Sequence, residues 1–96
     1  MARHATQTRQ TLLFDDNQSA AQLYGDGDRT LRILEEELGI DAHARGNEVR
    51  LVGDVDDVAR ARKVLEALYG EVRSGRTLDG RDVRDALRLV TESPEV

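Results

Sequence analysis

The chain has no cysteine, and only three of its 96 residues, Phe14, Tyr24 and Tyr69, are phenylalanine, tyrosine or tryptophan. The absence of cysteine excludes disulfides, thiolate zinc sites and cysteine nucleophiles. With His4 and His43 as the only histidines, we do not expect an all-histidine metal site within one chain. Because aromatic side chains are scarce, the core has to be built from leucine, valine, isoleucine and alanine.

Lysine and long apolar runs are also nearly absent. The single lysine, Lys63, is followed by valine, whereas a phosphate-binding P-loop ends in Gly-Lys-Ser or Gly-Lys-Thr, so ATP binding by that motif is excluded. No apolar run approaches the ~18 residues that span a bilayer, and residues 1–10 lack an apolar signal core. We therefore expect a cytoplasmic protein without membrane contact.

The charge and composition describe one small domain. Of the residues, 39% are hydrophobic and 34% are charged, which is enough apolar material for a single core. The net charge is −5, so nucleic-acid binding requires a local basic patch. We expect the folded domain at residues 10–91, between a disordered tail at residues 1–9 and a second tail at residues 92–96.

The hydrophobic pattern predicts the element order β-α-α-β-β-α-α. The predicted elements are a strand at 11–14, helices at 17–24 and 29–38, strands at 40–44 and 48–51, a long helix from 55 and a last helix at about 80–90. Asn17, Asp28 and Asp54 are the predicted N-caps of the first three helices. This order predicts an α+β fold in which helices cover one face of a three-stranded antiparallel sheet.

The break between the first two predicted helices consists of Gly25, Asp26, Gly27 and Asp28, and we call these residues 25–28 the elbow. Its glycines allow a sharp turn whose backbone can approach another molecule closely. The second helix begins directly after it, so free N–H groups and the positive end of the helix dipole lie in the same region.

Two arginines, Arg29 and Arg32, stand at positions i and i+3 of that second helix and add positive charge beside the elbow. This arrangement is typical of KH domains, in which a Gly-x-x-Gly loop clamps the backbone of a single-stranded nucleic acid. We therefore consider residues 25–32 the candidate binding site.

The same residues also have purely structural interpretations. The two glycines can serve only the turn, Asp28 can serve only as an N-cap, and Arg29 and Arg32 can pair with acids on a solvated helix. The Asp-Gly-Asp sequence at 26–28 resembles the start of a calcium loop, but the downstream glutamate and the remaining oxygen spacing are missing.

Three segments carry a resemblance to a known family: Leu23–Leu31, Leu34–Ile40 and Arg45–Val49. Two later segments match in the same order: Ala61–Tyr69 and Asp82–Arg88. Together they resemble the N-terminal domain of PhoH-type ATPases over about residues 11–90. The Arg-Gly-Asn-Glu-Val segment, at its expected distance after the elbow, is the most specific part.

The resemblance implies a KH-like fold of type I order, β-α-α-β-β-α, with an extra C-terminal helix. It implies a non-catalytic RNA-binding module, and we assign RNA contact to Gly25, Asp26, Gly27, Asp28, Arg29, Arg32 and Arg45. In the family a C-terminal P-loop ATPase domain follows, and this chain matches no part of it. We therefore expect an N-terminal module without enzyme activity, metal or cofactor, since ATP and Mg²⁺ belong to the ATPase domain.

The PhoH family is named after phosphate starvation. The resemblance to it implies three partners: weakly bound RNA, the ATPase domain in cis, and the rRNA-maturing ribonuclease that is associated with the family. The alternative is a protein-docking or homo-oligomerisation domain whose acidic elbow no longer binds RNA. A Gly-x-x-Gly loop has its second glycine where this chain has Asp28. Asp15 and Asp16 are also expected near the elbow, and four carboxylates there would oppose a phosphate.

Overall fold

A computed structural model describes residues 7–92 and contains three strands and four α-helices in that range. The elements are β1 (Gln7–Leu13), α1 (Asn17–Tyr24), α2 (Arg29–Leu38), β2 (Asp41–Arg45), β3 (Glu48–Asp54), α3 (Val55–Arg73) and α4 (Gly80–Glu92). The strands form one antiparallel sheet in the order β1-β3-β2. The predicted α+β class and the KH-like type I order with an extra C-terminal helix are confirmed.

The helices cover one face of the sheet because apolar side chains alternate along each strand. Leu12, Ala42, Val49 and Leu51 are buried on that face. Their neighbours along the strands point to the opposite, open face, as the period of two in a strand requires. The core is aliphatic, as predicted. Its fully buried aliphatic side chains include Ala20, Leu23, Leu31, Leu34, Val58, Ala61, Val64, Leu65 and Val83.

The ends of the domain differ from the predicted boundaries. The folded domain was predicted to start at residue 10 and its first strand at residue 11. β1 instead begins at Gln7, because residues 7–9 pair with residues 52–54 of β3. α4 extends through Glu92, one residue into the predicted second tail. The rest of the two predicted tails, residues 1–6 and 93–96, lies outside the described residues.

Of the predicted N-caps of α1 and α3, the one at α3 is confirmed and the one at α1 is wrong. Asp54 caps α3, with its carboxylate accepting from the Asp56 amide at 3.3 Å. At α1 the predicted cap was wrong, because Asp16 has the extended backbone that an N-cap needs and accepts from the Ser19 amide at 2.8 Å. Asn17 is instead the first residue of the helix.

A polar cluster fixes the start of α1 against α3. The Tyr69 hydroxyl donates to Asp15 Oδ1 at 2.6 Å and accepts from the Asp16 amide at 3.1 Å. Arg73 Nη1 lies 3.1 Å from the same Asp15 oxygen. The hydrogen bond from Tyr69 lowers the pKa of the Asp15 carboxyl, and the charge of Arg73 acts in the same direction. No helix in residues 7–92 combines the length and apolar character needed to cross a membrane.

Candidate nucleic-acid interface

The elbow is a genuine break between α1 and α2. Gly25 has φ 78° and ψ 179°, and Gly27, within a single 3₁₀ turn over Asp26–Asp28, has φ 60° and ψ 27°. Both backbone conformations are strained for residues with a Cβ, so the glycines are needed for the turn. The sharp turn that the two glycines predict is confirmed, with Gly27 in the left-handed region and Gly25 in a region that favours glycine.

Asp28 occupies the position before α2 but does not cap it with its side chain. It has φ 57°, the one positive φ of a non-glycine residue in the described part of the chain, and its carboxylate makes no capping hydrogen bond. A capping side chain requires an extended backbone, which this turn does not allow. The prediction of an Asp28 side-chain cap was therefore wrong, and the carboxylate is exposed at the elbow.

Tyr24, the last residue of α1, fixes the elbow to the sheet. Its hydroxyl donates to the Gly46 carbonyl in the β2–β3 turn at 2.9 Å. Burial raises the pKa of Tyr24 to about 12, and the negative charge of Asp28 contributes in the same direction. The same turn is tied to the end of β1, where the Phe14 amide donates to the Asn47 carbonyl at 2.9 Å.

The two elbow arginines make different contacts. Arg32 Nε donates to the Gly27 carbonyl at 2.8 Å, which holds an exposed guanidinium over the elbow. Arg29 is partly buried, and its Nη2 donates at 3.0 Å to the carbonyl of Leu78 in the α3–α4 linker. Neither arginine forms an ion pair with a carboxylate within residues 7–92. The alternative of paired charges on a solvated helix does not describe them.

An open cleft of about 760 Å³ lies beside the elbow, between α1 and the α3–α4 linker. Its polar lining consists of Gln18, Gln22, Thr77, the two arginines Arg29 and Arg76, and the acid Asp26. These groups suit a polar or anionic ligand, because they offer several hydrogen-bond donors. Residues 75–78 of the α3–α4 linker also line this cleft. No sequence motif marks them, because the packing of α3 against α4 brings them to the elbow.

The structure brings together the predicted site residues at positions 25–32, but it places Arg45 elsewhere. Arg45 is exposed on the open face of the sheet, beside His43, Glu48 and Arg50. The alternation along β2 explains this, because Ala42 points into the core and residues 41, 43 and 45 point outward. The elbow and Arg45 are therefore on different surfaces.

The expectation that four carboxylates surround the elbow was also wrong. Asp15 and Asp16 lie at the start of α1, and the eight residues of that helix separate them from the elbow by about 12 Å. They are engaged there by Tyr69, Ser19 and Arg73. Of the four carboxylates considered, only those of Asp26 and Asp28 lie at the elbow. In residues 7–92 no three His, Asp or Glu side chains are grouped so as to hold a metal ion.

A contact that the sequence did not reveal closes the edge of β2. The Glu35 carboxylate, on α2, accepts from the Ala42 amide at 3.0 Å. Glu36 and Glu37, the next two residues of the Glu-Glu-Glu run, are exposed, and only the packing of α2 beside β2 turns Glu35 to this edge.

Comparison with known proteins finds relatives that are named PhoH-like proteins. The chain is 41% identical over 76 residues to PhoH-like proteins of Mycobacterium tuberculosis and Mycobacterium bovis, a match that covers 75% of this chain and 22% of theirs. It is 27% identical over 93 residues to the PhoH-like protein of Bacillus subtilis, covering 97% of this chain and 28% of that protein. The chain thus spans less than a third of the length of these relatives. No family model matches it.

Two solved structures share the fold. Dim2p from Pyrococcus horikoshii superimposes with a TM-score of 0.65 at 20% identity, covering 86% of this chain and 49% of that one. A protein of unknown function from Aeropyrum pernix superimposes with a TM-score of 0.62 at 19% identity, covering 92% of this chain and 50% of that one. At this identity the likeness concerns the fold alone. By sequence the chain is homologous to one segment of the PhoH-like proteins, and its architecture is a KH-like fold.

Proposed function

We propose that the chain is a non-catalytic module that binds single-stranded RNA through the elbow and the adjacent cleft, and that it serves an ATPase domain in cis within a PhoH-type protein. One observation carries this proposal. Arg32 is hydrogen-bonded to the Gly27 carbonyl, so an unpaired guanidinium stands over a glycine turn at the start of α2. The N–H groups of Asp28 and Arg29 are bonded to the Gly25 and Asp26 carbonyls within the 3₁₀ turn. The helix dipole and the positive charge of Arg32 therefore act on a ligand there.

The charges at the elbow predict weak binding. Arg29, Arg32 and the dipole of α2 attract a phosphate, whereas Asp26 and Asp28 repel it. Arg76, in the cleft, is already paired with carboxylates at 2.7 and 3.3 Å. If Arg29 and Arg32 each neutralise one phosphate, log K falls with log salt with a slope of about −1.4 for a single strand. Binding should therefore be measurable at low salt and largely lost at physiological salt.

Base recognition at this site has little support from aromatic side chains. Phe14 and Tyr24 are each only 6% exposed, and the Tyr69 ring packs against Phe14 with centroids 4.6 Å apart. None of them offers a free face on which a base could stack. The site is therefore suited to the sugar–phosphate backbone, with little preference for sequence.

The test is a titration of fluorescently labelled single-stranded RNA at low salt, followed by anisotropy. Arg32→Gln should weaken binding by about three- to tenfold, because one charge-assisted phosphate contact is lost. Asp28→Asn should strengthen binding, because a repulsive charge is removed from the same surface. Opposite effects from two neighbouring residues cannot come from general unfolding.

The matched control is Arg50→Gln, which removes an equal charge from an exposed position on the open sheet face. Its RNA affinity should stay within about twofold of the unaltered chain, since Arg50 is remote from the elbow. The proposal fails if the unaltered chain shows no saturable binding. It fails equally if Arg50→Gln weakens binding as much as Arg32→Gln does.

A further inference from the structure

The two edges of the sheet differ in how they are protected. At the β2 edge, α2 packs alongside and Glu35 accepts from the Ala42 amide at 3.0 Å. At the β1 edge, no strand within residues 7–92 pairs with the outer side of β1. A free strand edge presents unpaired N–H and C=O groups and is a template for pairing with another chain.

The hydrogen bonds of β1 show which residues face outward. The Phe14 amide donates to the Asn47 carbonyl of the turn before β3, at 2.9 Å. Because bonding alternates along an antiparallel ladder, the even-numbered residues of β1 bond to β3, and the odd-numbered ones direct their N–H and C=O groups to the open edge. Those odd-numbered residues are Gln7, Arg9, Thr11 and Leu13.

β1 also lacks the features that usually block edge pairing. It is seven residues long, contains neither proline nor glycine, and carries a single charged side chain, Arg9. Leu13, at its end, is 71% exposed. A cleft of about 440 Å³ runs between β1 and α3, so side chains of an added strand would have space beside the helix.

The flank of α3 beside this edge carries both signs of charge. Arg62 Nη1 lies 3.2 Å from Gln10 Oε1, which places this part of α3 over the middle of β1. Arg62 Nε lies 3.0 Å from Glu66 Oε2, one helical turn further along. Two such helices that run antiparallel and cross level with residue 64 would place Arg62 of one copy opposite Glu66 of the other, and in that arrangement the surface is complementary to itself.

We propose that β1 pairs antiparallel with β1 of a second copy of this chain, about a two-fold axis at Gln10, to form a continuous six-stranded sheet. In this register Gln10 faces Gln10, Arg9 faces Thr11, and Leu13 faces Gln7, so no like charges are opposed. Both copies of α3 lie on the same side of the joined sheet. Arg32 stays uncovered, because α2 packs beside β2 at the far edge.

Cysteine cross-linking tests the register directly, since the chain has no cysteine of its own. Gln10 would form a non-hydrogen-bonded pair across the axis, with Cα atoms about 4.5 Å apart, which is within the range of a disulfide. Gln10→Cys should therefore form disulfide-linked dimers under mild oxidation. In the control Leu13→Cys, which is more exposed, the two cysteines would lie about 20 Å apart, and linkage should be at least about tenfold slower.

Charge exchange on α3 provides a second, independent test by sedimentation equilibrium without RNA. Glu66→Arg should weaken self-association by about tenfold, because it places arginines opposite each other, and the double variant Arg62→Glu/Glu66→Arg should restore it. Circular dichroism checks that each variant is folded. The proposal is overturned if the unaltered chain is monomeric at about 0.1 mM, where a specific interface should be populated. Equal cross-linking of Gln10→Cys and Leu13→Cys overturns it as well.

Discussion

Replacing Tyr24 by phenylalanine should loosen the elbow without disturbing the core. The ring is 6% exposed and remains in place, and only the hydroxyl that donates to the Gly46 carbonyl at 2.9 Å is lost. The Gly46 turn is at the surface, so water can partly replace the hydroxyl. We expect a loss of about 1 kcal/mol in the free energy of unfolding at neutral pH, the usual net value of one hydrogen bond.

The same hydroxyl predicts how stability changes at alkaline pH. Burial raises the pKa of Tyr24 in the folded state to about 12, above the usual tyrosine value of 10.0. The folded state therefore holds this proton more tightly than the unfolded state. The resulting stability is fully present below pH 10 and is lost as the pH rises toward 12, at no more than about 1.4 kcal/mol per pH unit from this group.

Two assays separate these effects. Urea unfolding of the unaltered chain and of Tyr24→Phe, at pH 7 and at steps above pH 9, should show a lower stability and a shallower alkaline slope for the variant. Absorbance titration of Tyr69→Phe, in which Tyr24 is the only tyrosine, should give its ionisation directly. If Tyr24→Phe matches the unaltered chain in both stability and alkaline slope, the hydroxyl does not hold the turn and the reasoning is refuted.

Three further changes have expected outcomes. Gly53→Ala should destabilise the fold by about 1–3 kcal/mol in urea unfolding, because its Cβ would lie 2.7 Å from Ile40 Cγ2 in the packed core. Gly70→Ala should instead stabilise the fold by up to about 1 kcal/mol, because Gly70 lies in α3 and has open space around the added Cβ. If Gly53→Ala and Gly70→Ala change the stability in the same direction, the packing described is wrong. Asp15→Asn should reduce the loss of stability below pH 4, since the hydrogen bond from Tyr69 lowers the pKa of Asp15 and this stabilisation disappears as the pH falls through the lowered value. Thermal melts of the unaltered chain and of Asp15→Asn at pH 3 and pH 7 measure this effect. If the drop in melting temperature from pH 7 to pH 3 is the same for both proteins, the stabilisation does not come from the Asp15 carboxylate.

The sequence predicted correctly those parts of the fold that depend on residues close together in the chain. Gly25 and Gly27 interrupt a helical periodicity, and the alternation around Gly46 specifies a hairpin. The same alternation contained the signal that places Arg45 on the open face, since Ala42 and Ala44 occupy the inward positions. The assignment of Arg45 to the RNA site rests on the segment that resembles PhoH-type proteins, and a resemblance in sequence does not specify the face of the sheet on which a side chain lies.

The parts that were missed depend on contacts between distant residues. The start of β1, Gln7-Thr8-Arg9-Gln10, has no apolar alternation, and its strand conformation comes from pairing with β3. The choice of Asp16 over Asn17 as the cap of α1 depends on backbone angles that both residue types tolerate. The bond from the Ala42 amide to Glu35, seven positions away, forms only because α2 packs beside β2.

The most direct test of the RNA proposal is an NMR titration of the ¹⁵N-labelled chain with a single-stranded RNA at low salt. The account predicts that amide shifts concentrate at the elbow, in Gly25, Gly27 and the first turn of α2, and extend to Thr77 in the cleft. Shifts confined to the open sheet face around Arg45, or no shifts at saturating RNA, would contradict it.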